Sequence, residues 1–158
     1  MRTLSLAVLA SLMLIAAGRV EGQQIRLTIA GLPLTKPSTP VTDFDAGSAI
    51  YGAMSFEVDV RSNGPQKVTT VSVRCATPCP ATGTLSLARV QFLSNTDSDW
   101  RQLTTSYQAV QSRNATRNVL NDPWSGTITW RYLLDWVATP PTAASRFNLQ
   151  FQLTVAAP

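Results

Sequence analysis

The chain has 158 residues, with 13 Lys and Arg against 9 Asp and Glu, a net charge of +4, two cysteines and no histidine. The missing histidine removes the usual general base, the usual zinc ligand and every Ser-His or Cys-His nucleophile pair, so triad hydrolysis is excluded. The arginines are scattered singly, without interleaved aromatics, which argues against a nucleic-acid partner.

Residues 1–22 read as a secretory signal peptide. Arg2 precedes an apolar run from Leu4 to Ala17 that is too short to span a bilayer, and small residues follow it. Cleavage is expected after Gly22 or after Gly18; a cut after Gly22 removes Arg2, Arg19 and Glu21 and leaves a net charge of +3. No second apolar segment long enough for a membrane span follows, so the mature chain is expected to be secreted, to the periplasm, the cell surface or the extracellular space. Its low charged fraction, its many Thr, Ser, Gln and Asn, and its Pro and Gly punctuation suit one exported all-β domain. The expected division is residues 23–41 as an N-terminal strand with a Pro-rich tether, then residues 42–158 as the domain.

In residues 24–31, Ile25, Leu27 and Ile29 alternate with Arg26, Thr28 and Ala30 before Gly31, the period of a strand with one apolar face. Pro33, Pro37 and Pro40 then favour an extended, solvated spacer, so this strand is expected to be tethered rather than embedded. In residues 50–61, Met54, Phe56, Val58 and Val60 share a face opposite Ser55, Glu57, Asp59 and Arg61, and the strand ends at the turn Asn63-Gly64-Pro65. Residues 68–75 pair back antiparallel, with Val71, Val73 and Cys75 inward. Residues 85–93 form another strand, and the parity change between Leu87 and Val90 predicts a bulge near Ala88. Residues 94–99 read as a polar loop. In residues 100–110, Trp100, Leu103, Tyr107 and Val110 have helical spacing while Thr104-Thr105-Ser106 favours strand; a bulged strand is the preferred reading. Residues 112–121 read as a loop.

The last stretch has the clearest alternation. Ile128, Trp130, Tyr132, Leu134 and Trp136 share one face of a strand, and Phe147, Leu149, Phe151, Leu153 and Val155 share one face of the next. Pro140 and Pro141 make the connection longer than a tight hairpin turn. About seven strands with apolar faces imply two packed sheets. The expected fold is an immunoglobulin-like β-sandwich with Greek-key connections, with a small β-barrel as the alternative.

Candidate sites are few, and no cofactor is called for. Cys75 and Cys79 are expected to bridge each other in an exported protein, with residues 76–78 folding back to bring them close. Asp43 and Asp45 before Gly47, and Asn95, Asp97 and Asp99 in a polar loop, are weak calcium candidates that turn chemistry explains equally well. Glu57 and Asp59 read as a solvated strand face. Trp130 and Trp136 share parity with Ile128 and Leu134 and are expected in the core. Trp124, in the segment Asp122-Pro123-Trp124-Ser125-Gly126 read as a turn, is the candidate for an exposed ligand contact, a glycan included. Asn114-Ala115-Thr116 fits a glycosylation sequon.

The alternating segment ending at Gly31, its Pro-rich spacer and the β-body together resemble exported pilus subunits assembled by donor-strand exchange. That resemblance implies that Ile25, Leu27 and Ile29 enter a groove on a neighbouring subunit, the partner being self or another exported β-protein; the residues by themselves favour an ordinary first strand paired within its own domain. The chain departs from the pattern in having no aromatic residue near Pro158 and in cysteines too close in sequence to staple distant strands. Spore coat protein U-like domains are similar in signal, β-body and strand-rich C-terminal part. The expected function is that of a non-enzymatic structural or surface-assembly subunit. The alternative is a monomeric secreted binding module for a glycan or protein, with Trp124 and loops 43–47 and 95–99 at the ligand.

Overall fold

The computed structural model describes residues 24–36, 41–61, 66–115, 122–137 and 144–157. In chain order the elements are β1 (Gln24–Ala30), β2 (Leu34–Lys36), a one-turn helix α1 (Val41–Asp45), β3 (Ser48–Arg61), β4 (Lys67–Cys75), a 3-10 turn (Leu87–Arg89), β5 (Val90–Ser94), β6 (Arg101–Gln102), β7 (Gln108–Ala115), β8 (Trp124–Leu133), β9 (Ser145–Phe147) and β10 (Leu149–Ala156). Every pairing between these strands is antiparallel. One sheet has the order β1-β3-β8-β5-β6, a second β10-β4-β7, and β2 pairs with β9 in a two-stranded sheet. The fold is therefore all-β, as the alternation implies.

The two larger sheets share one core. Met54, Phe56, Val58 and Val60 of β3, Val71 and Val73 of β4, and Ile128, Trp130 and Tyr132 of β8 are all buried, each on alternate positions of its strand. Burial of each such side chain stabilises the fold by about 1.5–3 kcal/mol relative to leaving it in water. At the centre, the Trp124 indole N–H donates to Thr69 Oγ1 at 3.1 Å, linking β8 of one sheet to β4 of the other. The Phe56 ring meets Trp124 edge-on, with centroids 5.4 Å apart. Gly126 completes this contact, since a Cβ there would stand 2.4 Å from the Phe56 ring and 2.5 Å from Gln111 Oε1 of β7. Any side chain would force the sheets apart locally.

Several expectations are corrected by packing. The parity change before Val90 comes from the 3-10 turn, capped by Ser86 Oγ accepting from the Ala88 N–H, and not from a bulge. Residues 100–110 divide into β6 and the start of β7, joined by a crossing segment. There Leu103 is fully buried, its N–H donates to the Val90 carbonyl, and the Thr104 carbonyl accepts from the Cys75 N–H. Residues 112–115, expected in a loop, belong to β7; Ser112 is polar because it faces outward, where its hydroxyl bonds that of Thr70 at 2.8 Å. Residues 116–121 lie outside the described residues. Strand β8 begins at Trp124 and so absorbs the expected turn. The Pro-rich spacer also contains a strand, because β2 pairs with β9 and buries Leu34 and Lys36. Strand β1 pairs with β3 from Gln24↔Arg61 to Ala30↔Ser55 as an edge of its sheet, so it is joined to the body and not merely tethered.

Candidate interaction seam

One long side of the sandwich is closed by a side chain. The Arg101 guanidinium on β6 donates to the backbone carbonyls of Ala109 and Val110 on β7 and pairs with the Asp97 carboxylate, so these edges of the two sheets lie against each other. The edge strands at the other ends of the two orders are β1 and β10, and each runs into the β2–β9 pair, β1 forward through Gly31 and β10 backward through Asn148. There the chain switches sheets. Gly31 follows β1 with φ +96°, a conformation that L side chains rarely adopt, and a Cβ at this position would stand 3.1 Å from the Ala53 carbonyl oxygen. After this kink β2 pairs with β9, while β1 stays with β3.

The β2–β9 pair bridges the sheets at one end of the side of β1 and β10, and among the described residues no strand bridges the rest. At the bridged end a cleft of about 350 Å³ lies between Leu32, Pro33, Phe147 and Leu149. Along the open part, β10 pairs with β4 from Leu149↔Cys75 to Ala156↔Val68, and no other described strand pairs with its second edge. The seam has two apolar lips. On β1, Ile25, Leu27 and Ile29 are half-buried and pack on the core, while Arg26, Thr28 and Ala30 are exposed. On β10, Leu149 is 9% exposed, Phe151 and Leu153 are half-buried, and Val155 is 42% exposed. The inward face of β10 becomes progressively uncovered away from the β2–β9 bridge.

No family model, curated protein or solved structure matches this chain.

The sequence-derived candidates occupy different environments. Trp124, expected at the surface, is only 6% exposed and holds the two sheets together. Trp136, expected in the core, is 52% exposed, because β8 ends at Leu133 and the parity argument does not extend past the strand; its ring stacks on buried Phe44 at 4.7 Å. Trp130 is fully buried as expected. Among the calcium candidates, Asp43 Oδ2 accepts from the Tyr51 hydroxyl at 2.8 Å, Asn95 Oδ1 from the Thr127 N–H at 3.1 Å, and Asp99 Oδ2 from the Ser98 hydroxyl at 2.9 Å. Asp97 pairs with Arg101, and Asp45 is exposed. The described residues contain no cluster of three or more metal-ligating side chains. Glu57 and Asp59 lie on the outer face of β3, with Thr28 and Arg26 of β1 opposite them in register. Cys75 and Cys79 form the expected disulfide, with Cα atoms 5.9 Å apart. Asn114 is exposed on β7.

Sequence reasoning overlooked a buried polar group beside the seam's closed end. Burial lowers the pKa of Lys36 on β2, and the charge of Asp43 on α1 opposes that shift. Tyr51, bonded to Asp43, packs its ring against that of Tyr132 with centroids 5.1 Å apart. Burial, and then the neighbouring Tyr51, raise the Tyr132 phenol well above its ordinary 10.0. The polarity of Lys36 and Asp43 in an otherwise loop-like stretch is the only sequence signal for this group. It ties α1 and β2 to β3. The chemistry available at the seam is that of the backbone itself, since an unpaired strand edge offers N–H and C=O groups to another extended chain.

Proposed function

We propose that this protein is an exported, non-enzymatic structural subunit that assembles through strand contacts at the seam between β1 and β10. The observation that carries this reading is the open edge of β10 with half-exposed apolar residues on both lips: Ile25, Leu27 and Ile29 against Phe151, Leu153 and Val155. A monomeric protein of this size gains nothing from an uncovered apolar strand face, whereas an assembling subunit uses it for affinity. In this reading Ile25, Leu27 and Ile29 act as the receiving lip while β1 remains paired with β3, and an exchanged β1 is the variant in which a neighbour supplies that strand. Two measurements test it. Mass spectrometry of the exported protein should find residues 1–22 removed. Light scattering across a concentration series should find self-association that Val155→Asp, an exposed change on the lip, weakens at least tenfold. A stable monomer at every concentration overturns the reading.

A second reading has its own support. Trp136, Val137 and Ile50 are exposed apolar residues, and Trp136 is held flat on Phe44. A rigid exposed indole suits stacking on a sugar ring or a partner side chain, so a glycan-binding or protein-binding module would use Trp136 in place of Trp124. Quenching of tryptophan fluorescence by a glycan panel, lost in Trp136→Ala, favours that module; no response from any glycan removes the glycan form of it.

A further inference from the structure

The four edges of the two larger sheets are not equally protected. Strand β6 is two residues long. On β7 the Arg101 guanidinium covers two carbonyls, Arg113 lies within the strand, and the register against β4 shifts between Val71 and Ser72. Strand β1 carries Arg26 and ends at the Gly31 kink. Natural edge strands are guarded by such features, namely shortness, charge, bulges and covering groups. Among the described residues, strand β10 shows none of them. Its eight residues, LQFQLTVA, contain no charge and no proline, and they pair with β4 without a register shift.

We infer that β10 is an interface for a second copy of this chain, joined by antiparallel β10–β10 pairing about a two-fold axis at Leu153. Uncharged sequence makes the strand self-complementary, since pairing it with itself sets no like charges opposite one another. By contrast, the edges of β1 and β7 would bring Arg26 or Arg113 against it. Antiparallel pairing about a residue joins positions equally far before and after that residue, so it preserves the period-two alternation. About Leu153, Phe151 of one copy stands opposite Val155 of the other, Leu153 opposite Leu153, and Gln152 opposite Thr154. All the half-exposed apolar residues then share the inner face, and all the polar ones the outer face. Pairing centred between Gln152 and Leu153 would set Phe151 opposite Thr154 and break that match. A centre at Gln152 would set Val155, 42% exposed, opposite Leu149, already covered at 9% exposed. Leu153 is instead the midpoint of the uncovered apolar run from Phe151 to Val155. The joined sheets would run β7-β4-β10-β10-β4-β7, and the gradient of exposure from Leu149 to Val155 is what such a contact would cover.

This inference rests on the assembly reading above, and the following experiment separates the two. Both cysteines are already bridged and no others exist, so an introduced cysteine is the only free thiol. Leu153→Cys in the exported protein should cross-link to a covalent dimer under mild oxidation, because residue 153 faces itself across the axis. Val155→Cys should not, since its two copies would lie roughly 13 Å apart along the pairing. Gln152→Lys combined with Thr154→Lys, both exposed and outward, places lysines opposite each other twice and should weaken association at least tenfold without unfolding the monomer. Self-association that survives the double lysine change, or cross-linking at 155 as readily as at 153, overturns the two-fold pairing while leaving assembly intact. Absence of any association overturns both.

Discussion

Tyr132 and Trp124 illustrate what single side chains do in this core. Among the described residues the Tyr132 hydroxyl is buried without a hydrogen-bond partner, an arrangement that costs desolvation without recompense. Tyr132→Phe should therefore leave stability unchanged or raise it by up to about 1 kcal/mol at neutral pH, measured by urea denaturation. The same residue governs alkaline behaviour. Because its folded pKa is raised above the ordinary 10.0, the unfolded chain loses this proton first, and stability should fall as pH rises above about 10. Lys36 acts in the opposite sense. Its folded pKa is lowered below 10.5, so the unfolded chain holds the extra proton and stability rises with pH until about 10.5. Denaturation at successive pH values should find the loss above pH 10 reduced in Tyr132→Phe. Trp124→Phe removes the indole donor while Thr69 keeps its own bond to the Arg113 carbonyl at 3.2 Å. That change should cost about 1–3 kcal/mol in urea unfolding, from the lost bond and the space left behind. A surface tryptophan would cost almost nothing, so the measurement also tests the burial of this residue.

Among the elements, β1 and β10 contrast most. Strand β1 has a full ladder to β3 with Arg26 opposite Asp59, a favourable cross-strand pair on the outer face. Among the described residues, strand β10 has a ladder on one edge. Antiparallel pairing directs alternate N–H groups toward β4 and the others toward the seam. In dilute monomer, hydrogen exchange along β10 should therefore alternate between slow and fast amides, and at concentrations where copies associate the fast set should slow down. Uniform protection in the monomer would mean that something within the chain already covers the edge. The helix α1 is a lesser element, one turn long, held by Asp43 to Tyr51 and by Phe44 under Trp136.

At the scale of the whole molecule, the two sheets are held by their shared core and by Arg101 on one side, while among the described residues the other side is joined where β2 meets β9. The disulfide adds little to this. It closes a loop of four-residue separation at the end of β4, worth about 2 kcal/mol at most by chain entropy. Cys75→Ser with Cys79→Ser should lower the free energy of unfolding by no more than roughly that amount. The strand content in circular dichroism should stay unchanged. A larger loss would give the bridge a role in positioning Thr104 and Asn148, whose carbonyls accept from the Cys75 and Ala76 N–H groups.

Local pattern alone determined most of the strands, the inward parity of Met54 to Val60 and of Ile128 to Tyr132, and the pairing of Cys75 with Cys79, because alternation and short spacing are properties of neighbouring residues. Trp124 was legible in part, since it shares parity with Ile128 and Trp130, but Gly126 between them reads as a turn until the close approach of Phe56 explains it. Tertiary structure decided the rest: that β1 joins β3, that β2 stands within the Pro-rich spacer, that Trp124 is inside and Trp136 outside, and that one face of β10 lies open. Period-two alternation reports the side to which a residue points; whether another strand lies on that side depends on pairings between segments more than a hundred residues apart, such as Leu34 with Phe147.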